Sequence, residues 1–425
     1  MKFVWAVLAC VSLGSSRLAS GCDCTGGAPF RFEAPIPNPY PLKFVTGFTT
    51  SLDLYGAAGN RRVLVRENYG YSVFSLSNPA MPSYLAASDI EGQPGYEQAG
   101  DGFSTVGDVA AVGDGSRILV NYTSNHGTLL MSPQGAAYTF AGEFGISNGS
   151  VALAKVGARY LGFNLKSTGL AAADVTSFVV GPNATLSGSI SYAAVPPPAV
   201  GSSAPPVAAG SYIVYQASVM GTGVEVVNIS NPGFPGAGLA LNFTTQFVPA
   251  STFGLTSVFA ATAAIHPTDG MLYVLAEGMT AGTPGAGLAR SANGSAFTQV
   301  GSVFSNGPTY TSAVGVSTMA ATASDLVVLF WGRNPGNGVN KLFTMTTSAF
   351  GTDLTPAVTV DPAVYTDFPR AYRMRAFSSG TQVYAYIGAQ QAGYAMSLTC
   401  LALADVIAPT VSAPASAAVT QTICQ

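Results

Sequence analysis

The 425-residue sequence predicts an all-β chain built from one repeated four-stranded unit, and three observations carry that expectation. The first is local: between Ala263 and Val300 short apolar runs alternate with turn signals. Residues 263–265 read as a strand, Pro267, Thr268, Asp269 and Gly270 as a turn, and 272–276 as a second strand. A third strand at 287–290 then leads through Asn293 and Gly294 to a fourth ending at Val300. The second observation is recurrence. An apolar run entered from a Gly, Asp or Ser turn is anchored at Val63, Ile118, Tyr160, Ile213, Tyr273, Val327 and Val383, at spacings of 42 to 60 residues, and a further strand-like run follows each about ten residues on. The third is composition: 49 Gly and 27 Pro supply turns, while charged residues make up 9% against a usual level of about 25%. Four antiparallel strands per repeat form one blade of a β-propeller, so residues 51–425 are expected to fold as a single propeller of about seven four-stranded blades.

From the N-terminus, Lys2 precedes an apolar run over residues 3–13, and Ala19, Ser20 and Gly21 stand before Cys22. Residues 1–21 therefore read as a secretory signal peptide. An alternative reading of the same residues is an imperfect lipobox, which in a bacterial source would anchor the protein through a lipid on Cys22. Of the five cysteines Cys10 leaves with the signal, so Cys22, Cys24, Cys400 and Cys424 remain, two at each end of the mature chain. Four cysteines allow three pairings, and two of these staple the N-terminal segment to the last blade. Lipidating Cys22 would leave one thiol over. Zinc binding is disfavoured, because the one-residue spacing of Cys22 and Cys24 is too short and no His lies near either end.

Residues 22–50 stand outside the repeats. Pro35, Pro37, Pro39 and Pro41 make an extended arm, and residues 43–49 are expected to form a strand that completes the last blade and covers its open edge. Residues 195–207 are a Pro-rich connection across which the repeat continues, so they do not divide domains. The apolar stretch over 401–419 is broken by Asp405, Pro409 and Pro414, so neither a transmembrane segment nor a C-terminal lipid-anchor signal is expected. A net charge of −3 with 17 scattered basic residues excludes a nucleic-acid-binding stripe, and 48% hydrophobic residues exclude a disordered chain.

Six Asn-x-Ser/Thr sequons stand at Asn121, Asn148, Asn183, Asn228, Asn242 and Asn293. Asn148, Asn183 and Asn293 fall in inferred turns or outer connections, where a glycan is solvated. Asn228 falls inside a strand and is the least suited if that strand is covered.

Two local patterns resemble known propeller families. Val73, Phe74, Ser75, Leu76, Ser77, Asn78 and Pro79, and again Val226, Val227, Asn228, Ile229, Ser230, Asn231 and Pro232, resemble the LVIVD repeat of extracellular propellers, in which a buried strand stops at a Ser-Asn-Pro turn. Residues 290–297 resemble a degenerate Asp-box of sialidase-type propellers, with Asn where the family has Asp. The resemblance implies the fold and brings no catalytic residue with it.

The chain offers little for covalent chemistry. His126 and His266 both sit at inferred turns. No serine elbow stands with a His and Asp set, and metal, phosphate-loop and dinucleotide patterns are missing, so no cofactor is expected. Arg370, Arg373 and Arg375 cluster with Asp367 and Tyr372. Arg373 and Arg375, two residues apart, would share one side of a strand and are the candidate grip for a polar or acidic ligand at the channel mouth. The expected function is that of a secreted or cell-surface glycoprotein whose rigid propeller is a non-catalytic platform for an extracellular protein or glycan. The alternative is a sialidase-like or other glycan-active hydrolase, which would need a convergent pair of carboxylates.

Overall fold

The computed structural model describes residues 30–31, 51–66, 70–79, 82–89, 106–122, 128–134, 137–144, 150–166, 169–176, 191–192, 205–217, 222–233, 242–305, 311–333, 340–348, 350, 358–359, 371–379, 382–389 and 398–403. Apart from one 3-10 turn at Ala250–Phe253, its regular elements are strands. Strand β1 (Phe30–Arg31) comes first. One sheet follows as β2 (Leu52–Tyr55), β3 (Arg62–Arg66), β4 (Gly70–Ser75) and β5 (Ser83–Asp89). A second is β6 (Val106–Ala111), β7 (Ile118–Tyr122), β8 (Thr128–Gln134) and β9 (Ala137–Phe144). A third is β10 (Ser150–Val156), β11 (Arg159–Lys166), β12 (Gly169–Asp174) and β13 (Ser191–Tyr192). A fourth is β14 (Val207–Ala209), β15 (Tyr212–Gln216), β16 (Gly223–Gly233) and β17 (Asn242–Pro249). A fifth is β18 (Ser257–Ile265), β19 (Leu272–Thr280), β20 (Thr283–Ser291) and β21 (Thr298–Ser305). A sixth is β22 (Thr311–Ala321), β23 (Leu326–Arg333), β24 (Asn340–Thr346) and β25 (Val358–Thr359). The last holds β26 (Ala371–Ser379), β27 (Gln382–Ala389) and β28 (Leu398–Leu403).

Within each sheet consecutive strands pair antiparallel in sequence order. The first strands neighbour one another in the order β2, β6, β10, β14, β18, β22 and β26, and β26 lies again beside β2. An all-β propeller follows from this arrangement. All seven sequence anchors fall on the second strand of a sheet, Val63 on β3 through Val383 on β27. That strand reads as a near-continuous apolar run because both of its faces are covered by neighbouring sheets. Period-two alternation divides its side chains: Val63 and Val65 pack with Phe377, Tyr384 and Tyr386 of the last sheet, whereas Leu64 packs with Val109, Ile118 and Val120 of the second.

The fifth sheet matches the sequence reading closely, with longer strands. Strands β19 and β20 run to the turn at Ala281 (φ 48°) and Gly282 (φ 82°), where two left-handed residues close a two-residue hairpin between Thr280 and Thr283. Gly287 is required inside β20, because a Cβ there would lie 1.9 Å from the Phe253 carbonyl oxygen.

Two local expectations differ. Strand β16 runs through Ser230, Asn231 and Pro232 instead of stopping there, with a register shift between Asn228 and Gly233 that accommodates the proline. The edge of β28 is paired by β1, with Phe30 opposite Leu401 and Arg31 opposite Cys400. Phe30 and Arg31 retain the N–H groups that the alternating prolines further along the arm lack. The strand expected at 43–49 lies outside the described residues. So do the signal segment 1–21, Cys22, Cys24, Cys424, His126, Asp367 and Arg370. No helix among the described residues is long and apolar enough to cross a membrane.

Candidate functional site

The first strands enclose a cavity of about 510 Å³, and every sheet contributes to its wall: Asp53 from β2, Ala111 from β6, Ala154 from β10, Ala208 from β14, Thr262 from β18, Thr318 from β22, and Arg373 and Arg375 from β26. The sequence expectation that the two arginines share a side is met, since both reach this cavity. Each meets a carboxylate from a different sheet. Arg375 Nε donates to Asp53 Oδ1 at 2.8 Å, while Asp53 Oδ2 accepts the Ala111 N–H at 3.0 Å. Arg373 Nη1 donates to Asp108 Oδ1 at 2.5 Å, to the Val109 carbonyl at 2.9 Å and to Ser51 Oγ at 3.1 Å. Asp108 Oδ1 also accepts from the Ser51 hydroxyl and the Val109 N–H, and Oδ2 accepts the Val151 N–H of β10 at 2.8 Å.

The Arg373–Asp108 pair has side chains about 1% exposed and is a buried ion pair; the Arg375–Asp53 pair, at 16% and 14%, is not fully closed off. Burial lowers the Arg375 pKa, the neighbouring Arg373 lowers it further, and Asp53 opposes both. These contacts bridge the last sheet to the first three, where the ends of the ring meet. Asp53 and Asp108 were not singled out from the sequence. Their signal was a carboxylate inside an apolar strand, a placement that is costly without a partner.

At the tight-turn side of the cavity Lys155 Nζ donates to Asp114 Oδ2 at 2.7 Å, and Ser116 and Tyr160 donate to the same carboxylate. Burial raises the Asp114 pKa, but the Lys155, Ser116 and Tyr160 hydrogen bonds outweigh it and the group ends below its ordinary value. Arg61, also on the cavity wall, lies with its guanidinium carbon 4.2 Å from the centre of the Phe377 ring.

His266 lies away from the cavity wall and holds two sheets together. Its Nε2 is 3.2 Å from Asp325 Oδ1 of the sixth sheet, and its ring stacks on Tyr273 at 4.9 Å. Asp325 also accepts from the Thr347 and Ser348 hydroxyls. The turn reading of His266 and Asp269 therefore holds in part. Asp269 caps its own turn through the Met271 N–H, whereas His266 reaches across to the next sheet. Among the described residues no group of three or more His, Cys, Asp or Glu side chains gathers as a metal site.

A second polar feature was invisible in the sequence. The third residue after Val63, Ile118, Leu161, Ile213, Val274 and Val383 is in turn Arg66, Asn121, Asn164, Gln216, Glu277 and Tyr386, and all six are buried. Two of them hydrogen-bond to the backbone of the next sheet: Gln216 Nε2 to the Val258 carbonyl at 2.9 Å and Tyr386 Oη to the Pro79 carbonyl at 2.7 Å. In the fifth sheet the position is an acid. Neither Glu277 oxygen reaches a partner in hydrogen-bond geometry, and burial pushes the carboxyl up to about 7, with Ser317 opposing only part of the shift.

Of the sequons, Asn293 is exposed at the turn between β20 and β21, where its Oδ1 accepts from the Ser295 N–H and hydroxyl. Asn228 is partly buried, and Asn121 is wholly buried, which leaves no volume for a glycan at that position. Asn242 opens β17, and Asn148 and Asn183 lie outside the described residues.

No protein-family model matches the chain, and no curated protein matches it. Among solved structures, one of YCF48 bound to D1 peptide is similar with a TM-score of 0.44 at 11% identity, covering 84% of this chain and 98% of that one. A chain of the mitotic checkpoint complex gives 0.43 at 12% identity, covering 88% and 94%. A functionally unknown protein from Desulfotomaculum acetoxidans gives 0.42 at 14% identity, covering 71% and 84%. Likeness at this level carries nothing about activity.

Proposed function

We propose that the protein is a secreted or cell-surface glycoprotein whose seven sheets are the blades of a closed propeller, serving as a non-catalytic platform for an extracellular protein or glycan. The observation that carries the non-catalytic part is the state of the cavity carboxylates. Asp53 is committed to Arg375 and the Ala111 N–H, and Asp114 to Lys155, Ser116 and Tyr160, so among the described residues the wall presents no acid paired with an unengaged base. In this reading Arg375, whose pair with Asp53 is partly open, meets the ligand, and the buried Arg373 holds the wall beneath it through Asp108.

Closure by the N-terminal segment is supported by the pairing of β1 with β28. Arg31 stands opposite Cys400 and follows Cys24 by seven residues in the sequence, a placement that favours a disulfide clasp among Cys22, Cys24, Cys400 and Cys424. A glycan fits Asn293 best, on its exposed turn; Asn148, Asn183 and Asn242 complete the proposed set. Cleavage of residues 1–21 would deliver the chain to the compartment in which these modifications form.

The test is a glycan array and a pull-down from extracellular extract with the purified protein, together with turnover on sialosides and common glycosides. Specific capture without turnover is expected. Reproducible glycoside cleavage would overturn the non-catalytic reading and favour the hydrolase.

A further inference from the structure

We propose that the central cavity is itself a binding site for a small carboxylate, recognised at its wall by Arg61. This goes beyond the platform reading, which concerns a macromolecule, and stands or falls separately from it. Four basic side chains line the cavity: Arg61, Lys155, Arg373 and Arg375. Three are matched by carboxylates, Lys155 by Asp114, Arg373 by Asp108 and Arg375 by Asp53. Among the described residues Arg61 has no carboxylate partner; its guanidinium rests on the Phe377 ring. A guanidinium placed over a ring face is attracted to it without using up its N–H donors.

A second, independent observation points to the same chemistry. Arg373 is wholly buried and borders the cavity, and among the described residues its inaccessible Nε and Nη2 have no hydrogen-bond partner. Both oxygens of Asp53 and both of Asp114 are already engaged. The unused hydrogen-bonding capacity of these groups is therefore N–H donor capacity, and among the described residues Arg61 adds one positive charge without a carboxylate on the same wall. An acceptor-rich anion satisfies the donors of the partly exposed Arg61 and adds negative charge above the buried Arg373, and a carboxylate matches the planar guanidinium edge with two parallel hydrogen bonds. At about 510 Å³ the cavity is of the size that holds small ligands.

The experiment titrates the purified full chain with succinate and, as the uncharged counterpart of the same skeleton, succinamide, followed by calorimetry and ligand-observed NMR at constant ionic strength. Acetate and citrate extend the series. Saturable one-site binding of at least one carboxylate, with succinamide at least about tenfold weaker, is expected. Arg61→Met keeps most of the stem that packs on Phe377 and should weaken the carboxylate by at least about tenfold, with the thermal midpoint little changed, while Arg61→Lys should recover part of the loss. Absence of saturable binding by all three carboxylates, equal binding of succinamide, or wild-type affinity in folded Arg61→Met would each overturn the proposal. Macromolecular capture that persists in any of those cases leaves the platform reading standing.

Discussion

Replacing Glu277 by Gln should stabilise the protein, and only above the acid range. The residue is about 1% exposed on β19, between β18 and β20, and among the described residues neither carboxyl oxygen has a partner in good hydrogen-bond geometry. Burial raises its pKa from 4.5 to about 7. Between those values the native state keeps a proton that the unfolded chain has released, so stability falls as pH rises through this window and levels off above it. At 1.36 kcal/mol per pKa unit the ionised Glu277 costs about 3 kcal/mol at pH 8 and nothing below about pH 4. Glutamine has nearly the same shape and no charge at either pH. Urea unfolding of wild type and Glu277→Gln at pH 4, 6 and 8 should give curves that nearly coincide at pH 4 and separate by up to about 3 kcal/mol at pH 8. Glu225, also pushed up to about 7 by burial, keeps part of the pH dependence in the single variant, and Glu225→Gln with Glu277→Gln should flatten the profile further. A difference of the same size at pH 4 and pH 8, or no gain at pH 8, would show that Glu277 is not a charge held against its desolvation.

Removing the Arg373 side chain strands Asp108 as a buried charge, so Arg373→Ala should cost roughly 3–5 kcal/mol in urea unfolding, and adding Asp108→Asn should recover part of it. Arg375→Ala, whose pair with Asp53 is less enclosed, should cost clearly less in the same assay. Gly287→Ala drives a methyl group against the Phe253 carbonyl oxygen and should destabilise by roughly 1–3 kcal/mol, measured by thermal unfolding. In protein made through a eukaryotic secretory pathway, peptide mapping should find a glycan on Asn293 and none on Asn121. Non-reducing mapping should find Cys22 and Cys24 joined to Cys400 and Cys424; bonds confined to each end would refute the clasp.

The repeat itself was legible in the sequence because a strand covered on both faces is apolar along most of its length, which marks Val63, Ile118, Ile213, Val327 and Val383 without any knowledge of their neighbours. Turn chemistry was legible for the same reason: Asp269 and Gly270, or Asn293 and Gly294, act within a few residues of themselves. Residues that act across sheets were not. Asp53 and Asp108 make sense only once β26 is brought around the ring beside β2, and no local pattern links positions 53 and 375 or 108 and 373. His266 looked like a turn residue because its contact with Asp325 is 59 positions away. The sequence by itself determined the strands, their alternation of faces and most of their turns, since those depend on side-chain period and backbone preference over a few residues. The tertiary structure alone decided which charges are compensated among the described residues and which, like those of Arg61 and Glu277, are not, because desolvation and Coulomb energy depend on distances between chain segments that no spacing in the sequence encodes.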